Sequence, residues 1–513
     1  MPVLPARARS AAAVLPSAGL PATGPPGAGR PAARSGFALG AALLGYFVIT
    51  LDALVVSVAL PAIGRSTGGG MTGLQWVADG YTLIFAALLL SAGTVSDRIG
   101  ARRAYGAGLA VFAAASAACG LAPGLGVLVA ARLAQGAGAA VLVPASLALI
   151  REAFPDPARR ARAISVWALG GAAGSACGPV AGGMLSLISW RMIFFVNVPV
   201  GLIALALLAR AGRSPRRPAA VDWAGQGTAV LAMGALTYAA IEAGARGFGA
   251  PRVLLSLAVA IAAAAGFWAA QARGRHPMVP LPLLRTPAMA ASAAVGFALN
   301  VAVYGLIFVI SLYLQQARGL SAAATGLTFL PMTMLSSIGT FSAARLAARF
   351  GRAPLIITGQ LLIAAGLASV CLLAGTVPAW LLALLMMPVA GGGSLAVPSV
   401  TAQLLDSVPA ERAGTAGGVL NTARQAGGAL AVAIFGALLA GPAGVLPGAR
   451  ISLVIAGVTV LATAGASLAL RPARLSRPRP GAEPVSASLP AAPAVKPRHH
   501  GGQQGVPEGC PPG

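Results

Sequence analysis

Residues 170–183 read Gly-Gly-Ala-Ala-Gly-Ser-Ala-Cys-Gly-Pro-Val-Ala-Gly-Gly, inside a stretch apolar enough to span a bilayer. Gly170, Gly174, Gly178 and Gly182 recur at every fourth position and therefore share one face of a helix. A face without side chains lets a second helix backbone come close. Pro179 removes a backbone donor and bends the helix at a fixed point, and Gly183 extends the smooth face beyond it. Stripe and bend together predict a tightly packed, hinge-like seam between two membrane helices.

The rest of the chain agrees with a membrane setting. It has 513 residues, 57% hydrophobic and 9% charged, with a mean hydropathy of +0.82. Soluble domains carry about 25% charged residues. The net charge of +25 would suit nucleic acid, but the arginines stand in short clusters between apolar runs, as topology signals do. Nucleic acid is therefore not an expected partner. Cys119, Cys177, Cys371 and Cys510 are scattered, and His276, His499 and His500 lie outside the apolar runs, so neither a metal site nor a disulfide framework is expected. No phosphate-cradling Gly-x-x-x-x-Gly-Lys-Ser/Thr loop is present, and no cofactor is expected.

Mostly apolar runs of membrane length number fourteen: 37–63, 74–92, 104–121, 125–149, 163–187, 192–210, 224–243, 253–271, 288–314, 322–343, 354–375, 379–398, 413–440 and 451–470. Odd-numbered connections hold Arg65, Arg191, Arg246, Arg252, Arg318 and Arg450. The tails and even-numbered connections hold 28 of the 36 basic residues. That imbalance predicts cytoplasmic termini. Gly93–Gly100 after the second run and Ala344–Gly351 after the tenth are related segments, as in two halves of a duplicated transporter. The expected fold is thus an all-α polytopic membrane protein of fourteen transmembrane helices. Its divisions are a disordered tail at 1–36, a six-helix half at 37–211, a linker with two inserted helices at 212–286, a second six-helix half at 287–470 and a disordered tail at 471–513.

In this order the motifs LDALVVSVALP (51–61), GTVSDRIGARR (93–103), RLAQGAG (132–138), the glycine stripe, WRMIFFVNVPVG (190–201), Asp222-Trp223-Ala-Gly225 and AGTAGGVLNTARQAGG (413–428) resemble those of the major facilitator superfamily. The resemblance is to its fourteen-span drug:proton antiporters, of the quaternary-ammonium and multidrug exporter type, and covers about 37–470. It implies that the glycine stripe is an antiporter signature. It also implies that Asp52 and Arg132 belong to the proton-coupling region. Gly93, Asp97, Arg98, Gly100, Arg102 and Arg103 would form a gating turn, with Asp97 pairing across the two halves to stabilise the outward-open state. The related segment has Ala348 where Asp97 stands.

The residues themselves support a transport reading. A carboxylate at membrane depth costs roughly 2.5–3.5 kcal/mol on insertion scales, so Asp52 is a functional candidate. By helical rise Asp52 and Arg132 both lie roughly 10–15 Å below the outer surface, which makes them an expected pair. Asn421, Arg424 and Gln425 share a face of the thirteenth run, with Arg424 near the midplane. Phe297, Asn300, Tyr304 and Phe308 share a face of the ninth and would suit a drug-like ligand. Asp79 and Glu242 sit toward outer ends within reach of interfacial water, leaving Asp52 as the deep carboxylate. Cationic drugs are accordingly less expected than neutral or anionic ones.

The expectation is a proton-coupled exporter of small lipophilic molecules, working by alternating access in the bacterial cytoplasmic membrane. Its partners would be substrate, protons and the bilayer, with no obligate protein partner. An uptake symporter on the same fold is the first alternative, and a non-transporting membrane sensor or scaffold the second.

Overall fold

The computed structural model describes residues 29–468, apart from 213, 217–219, 275–276, 410–411 and 442–443. The expected disorder of 1–28 and 471–513, and the placements of Arg213, Arg217, His276, His499, His500 and Cys510, lie outside the described residues.

Among the described residues, fourteen helices are long and apolar enough to cross a membrane. They are α1 (Arg34–Thr67), α2 (Gly70–Ile99), α3 (Ala101–Leu121), α4 (Leu125–Ala153), α5 (Pro157–Ile188), α6 (Met192–Arg210), α7 (Trp223–Arg246), α8 (Pro251–Arg273), α9 (Pro287–Ala317), α10 (Ala322–Phe350), α11 (Arg352–Leu373), α12 (Ala379–Asp406), α13 (Gly414–Leu439) and α14 (Val445–Ser467). The described helix thus begins before residue 37. No strand occurs among the described residues.

Local chemistry sets several helix starts. The Asp156 carboxylate accepts from Arg159 N–H at 2.8 Å, and Ser321 Oγ accepts from Ala324 N–H at 3.2 Å. Both replace a missing intrahelical partner at the N-terminus. Gly100 (φ +90°) and Gly351 (φ +86°) turn α2 into α3 and α10 into α11. A side chain is strained at such a φ, which explains glycine in both related segments.

Packing shows the duplication directly. In the first half α1 packs on α5 and α6, and α4 on α2 and α3; in the second, α9 packs on α13 and α14, and α12 on α10 and α11. Each pair recurs eight helices later. The halves meet along two seams, α2 with α13 and α5 with α10. The inserted α7–α8 hairpin packs on itself, and α7 rests against α2 and α13. Asp222 ties the hairpin together: it caps α7 by accepting from Gly225 N–H at 2.8 Å, and accepts from Gln271 Nε2 of α8 at 2.8 Å. Burial separates centre from rim, since the apolar window of α1 is 67% buried and that of α9 72%, against 17% for α8.

Candidate functional site

The first half closes around Asp52, whose side chain is fully buried. Its carboxylate accepts from Arg132 NH1, from Gln135 Nε2 at 2.9 Å and from Asn197 Nδ2 at 2.8 Å. Arg132 is held in turn. Its Nε donates to the Val77 carbonyl at 3.0 Å, NH1 donates to Gln135 Oε1 at 2.8 Å, and the guanidinium carbon lies 4.4 Å from the Tyr81 ring centroid. Ser116 Oγ accepts from Gln135 and Asn197 and donates to the Phe194 carbonyl. Five helices, α1, α2, α3, α4 and α6, therefore converge on one ion pair. Such a pair persists in an apolar interior only when its remaining hydrogen-bonding capacity is filled.

The sequence put Asp52 and Arg132 at one depth, and the structure places them in contact. Gln135, Asn197 and Ser116 were missed as members. Gln135 stands three residues after Arg132 and so shares its helix face, a signal that was available. Asn197 stands inside the motif WRMIFFVNVPVG, which marks the segment but not its partner, and nothing local marks Ser116; both roles come from which helices meet.

Asp79 differs from expectation. It is fully buried, and neither carboxylate oxygen has a hydrogen-bond partner. On the same face of α2, Gln75 Nε2 donates to the Ala433 carbonyl at 2.6 Å, and the Ala86 carbonyl accepts from Thr422 Oγ1 at 3.5 Å. The register of these antiparallel contacts sets Asp79 opposite Ala429 of α13, in the seam between the halves. Helical rise alone had put it within reach of interfacial water; packing against α13 removes that water. Glu242 is also largely buried and pairs with Arg246 at 2.6 Å. An ionised carboxylate without donors is costly, so Asp79→Asn is expected to leave thermal stability in detergent within about 2 °C of wild type or to raise it. A fall of more than about 5 °C would show that the carboxylate has an unseen partner.

The glycine stripe packs against α1. A Cβ on Gly170 would stand 2.5 Å from the Leu43 carbonyl oxygen, and one on Gly182 2.5 Å from that of Val55. A Cβ on Gly174 would run into the Phe47 carbonyl and Thr50 Oγ1; on Gly178 it would meet Leu54 Cβ at 2.8 Å. Past Pro179 the small face widens: Gly182 stays on α1, while its neighbour Gly183 faces the other half. Gly183 lies against the Ala322 carbonyl, and Gly326 against that of Pro179. The seam thus joins a within-half contact to one between halves.

At the arginine-rich end, Gly100 packs under Ser214 and Pro215. Arg102 Nε donates to the Leu208 carbonyl at 3.1 Å and NH2 to that of Ala209 at 3.0 Å, fastening the turn to the end of α6. Gly93 is partly exposed with open space at its Cα, and Arg98 and Arg103 are exposed. Asp97 is exposed and forms no ion pair among the described residues, so the expected pairing across the halves is not made in this conformation.

A cavity of about 340 Å³ lies between the halves. Tyr46 and Thr50 of α1 line it from one half, and Asn300, Tyr304, Asn421, Arg424 and Gln425 from the other. Toward the arginine-poor end the halves touch through the Gly183–Ala322 approach and through Gln315 Nε2, which donates to the Val58 carbonyl at 2.9 Å. Arg424 Nε donates to Asn300 Oδ1 at 3.4 Å, and Asn300 Nδ2 to Gln425 Oε1 at 3.2 Å. Phe308 is a correction. It is fully buried in the apolar core beside Leu306, Ile307 and Val309 and does not reach the cavity, although helical spacing put it on the face of Tyr304.

The model of the Major Facilitator Superfamily matches residues 42–432. A methylenomycin A resistance protein of Streptomyces coelicolor is 36% identical over 429 residues, covering 83% of this chain and 90% of the relative. The multidrug resistance protein Stp of Mycobacterium tuberculosis is 37% identical over 401 residues, 77% of this chain and 74% of the relative. Among solved structures, a D-xylose-proton symporter matches with a TM-score of 0.62 over 85% of this chain and 97% of that one, at 16% identity. That last likeness is one of fold.

Proposed function

The chain belongs to the major facilitator superfamily, and from that premise we propose that it is a proton-coupled antiporter exporting small lipophilic molecules by alternating access. The observation that carries the reading is Asp52, a wholly buried carboxylate whose one ionic partner among the described residues is Arg132. A carboxylate that keeps its charge through one cation takes up a proton when that cation is drawn away, and returns it when the cation comes back. Movement of α1 against α4 is then a proton-loading step. The glycine seam links α1 to α5 and, through Gly183 and Gly326, to α10 of the other half. Rearrangement at Asp52 therefore has a packed route to the cavity between the halves.

The arginine distribution supports a cytoplasmic arginine-rich end and a cytoplasmic membrane location. On that orientation the Gly183–Ala322 and Gln315–Val58 contacts between the halves lie on the outer side. The divisions at 37–211, 212–286 and 287–470 serve as two moving halves and a linker. Substrate and protons are the working partners, and the gating turn at Gly93–Arg103 is the contact that changes when the cavity reverses.

Two measurements test this. A membrane-impermeant thiol reagent is expected to label Cys510 only after permeabilisation, in a variant with Cys119, Cys177 and Cys371 replaced by alanine. Labelling in intact cells overturns the topology. Reconstituted vesicles with an imposed pH gradient are expected to release protons when a transported dye is added. Uptake of dye and proton in the same direction would make the protein a symporter instead.

A further inference from the structure

The cavity carries one charge. Among the described residues lining it, Arg424 is the single ionisable side chain with a fixed charge, and no carboxylate faces it. The deep carboxylates are engaged elsewhere: Asp52 in its own cluster, Asp79 in the α2–α13 seam and Glu242 with Arg246. The guanidinium is scarcely used. Its Nε makes the one hydrogen bond, at the long distance of 3.4 Å to Asn300, which leaves both terminal nitrogens for a ligand. The fork formed by the two terminal nitrogens of a planar guanidinium matches a carboxylate bidentately. Tyr46, Tyr304 and Asn421 line the same space and supply neutral donors for a second oxygen. Ala53, Leu54, Phe85, Leu299 and Ile307 add apolar lining to the same cavity.

We propose that this cavity selects small lipophilic organic acids, with Arg424 binding the substrate carboxylate and the apolar lining holding the rest of the molecule. The proposal rests on the exporter reading and names its substrate class. A cationic ligand would enter a space already holding an unbalanced positive charge, whereas a monoanion leaves the loaded cavity neutral. Arg424 is here a substrate-binding residue. Asn300 acts through it, as a positioning residue that turns the terminal nitrogens toward the cavity.

The test uses the reconstituted full chain and three coumarin dyes of matched size carrying a carboxylate, a methylamide or a trimethylammonium group. Wild type is expected to transport the carboxylate dye at least about tenfold faster than the trimethylammonium dye. Arg424→Gln is expected to erase that preference, and Arg424→Lys to restore part of it. Equal transport of the cationic dye by wild type, or an unchanged preference in Arg424→Gln, overturns the assignment while leaving the exporter reading standing. If no dye moves and none releases protons, the exporter reading fails, and equilibrium binding decides the site. Carboxylate preference that depends on Arg424 upholds it, and its absence overturns it.

Discussion

Asp52→Asn is expected to abolish uphill export, lowering proton-driven dye accumulation at least about a hundredfold, equivalent to roughly 3 kcal/mol. The amide keeps the shape of the carboxylate and can still accept from Gln135 or Asn197. It cannot balance Arg132, which is then a buried cation with a carbonyl and an amide for partners. Removing one member of a buried pair costs about 3–5 kcal/mol, and here the loss falls where the working step is placed. Downhill exchange of dye between the two faces needs no net proton movement and is expected to persist. Dye-induced proton release and dye binding, measured separately on folded protein, distinguish the two. Uphill export by Asp52→Asn would mean that the proton travels by another group.

The second large effect is at the seam. Gly174→Leu is expected to reduce export at least about tenfold at equal membrane abundance, because overpacking of about 1–3 kcal/mol must be met by moving α5 away from α1. The obstacle at this position is backbone as well as side chain, the Phe47 carbonyl and Thr50 Oγ1. Gly178→Leu meets the Leu54 side chain instead and should be inhibitory but milder. Gly234→Leu on α7, where a Cβ meets nothing within 4 Å, is the control and should export normally. Wild-type export by Gly174→Leu would remove the case for a moving seam.

What the sequence disclosed and what it hid have one explanation. Hydropathy and glycine spacing are one-dimensional signals of a helix in lipid, so the fourteen helices, the duplication and the smooth face of α5 could be read from residue order. Depth was also legible, which is why Asp52 and Arg132 could be paired. Azimuth between helices far apart in the chain was not. Asp79 looked like an outer-end carboxylate because only its distance along α2 was known, and α13 turned out to cover it. Phe308 failed in the same way: it shares a helical face with Tyr304 over one turn, but its side chain is buried in an apolar core to which both halves contribute. Asn197 and Ser116 joined the Asp52 cluster through the meeting of α3 and α6, which no local pattern records.

The α7–α8 hairpin makes the two seams between the halves unequal. Gln226 Nε2 on α7 donates to the Ala87 carbonyl of α2 at 2.8 Å, Tyr238 stands 6.2 Å from Trp76 between ring centroids, and Gly244 packs on Ala437 of α13. One helix is thus fastened to both halves on the α2–α13 side. Any rocking there must shear protein against protein, whereas the α5–α10 side borders acyl chains that flow aside. The bilayer is therefore a lubricant on one flank only. Turnover should accordingly follow the fluidity of the lipid on the α5–α10 flank, where the halves meet at the close backbone approach of Gly183 and Gly326.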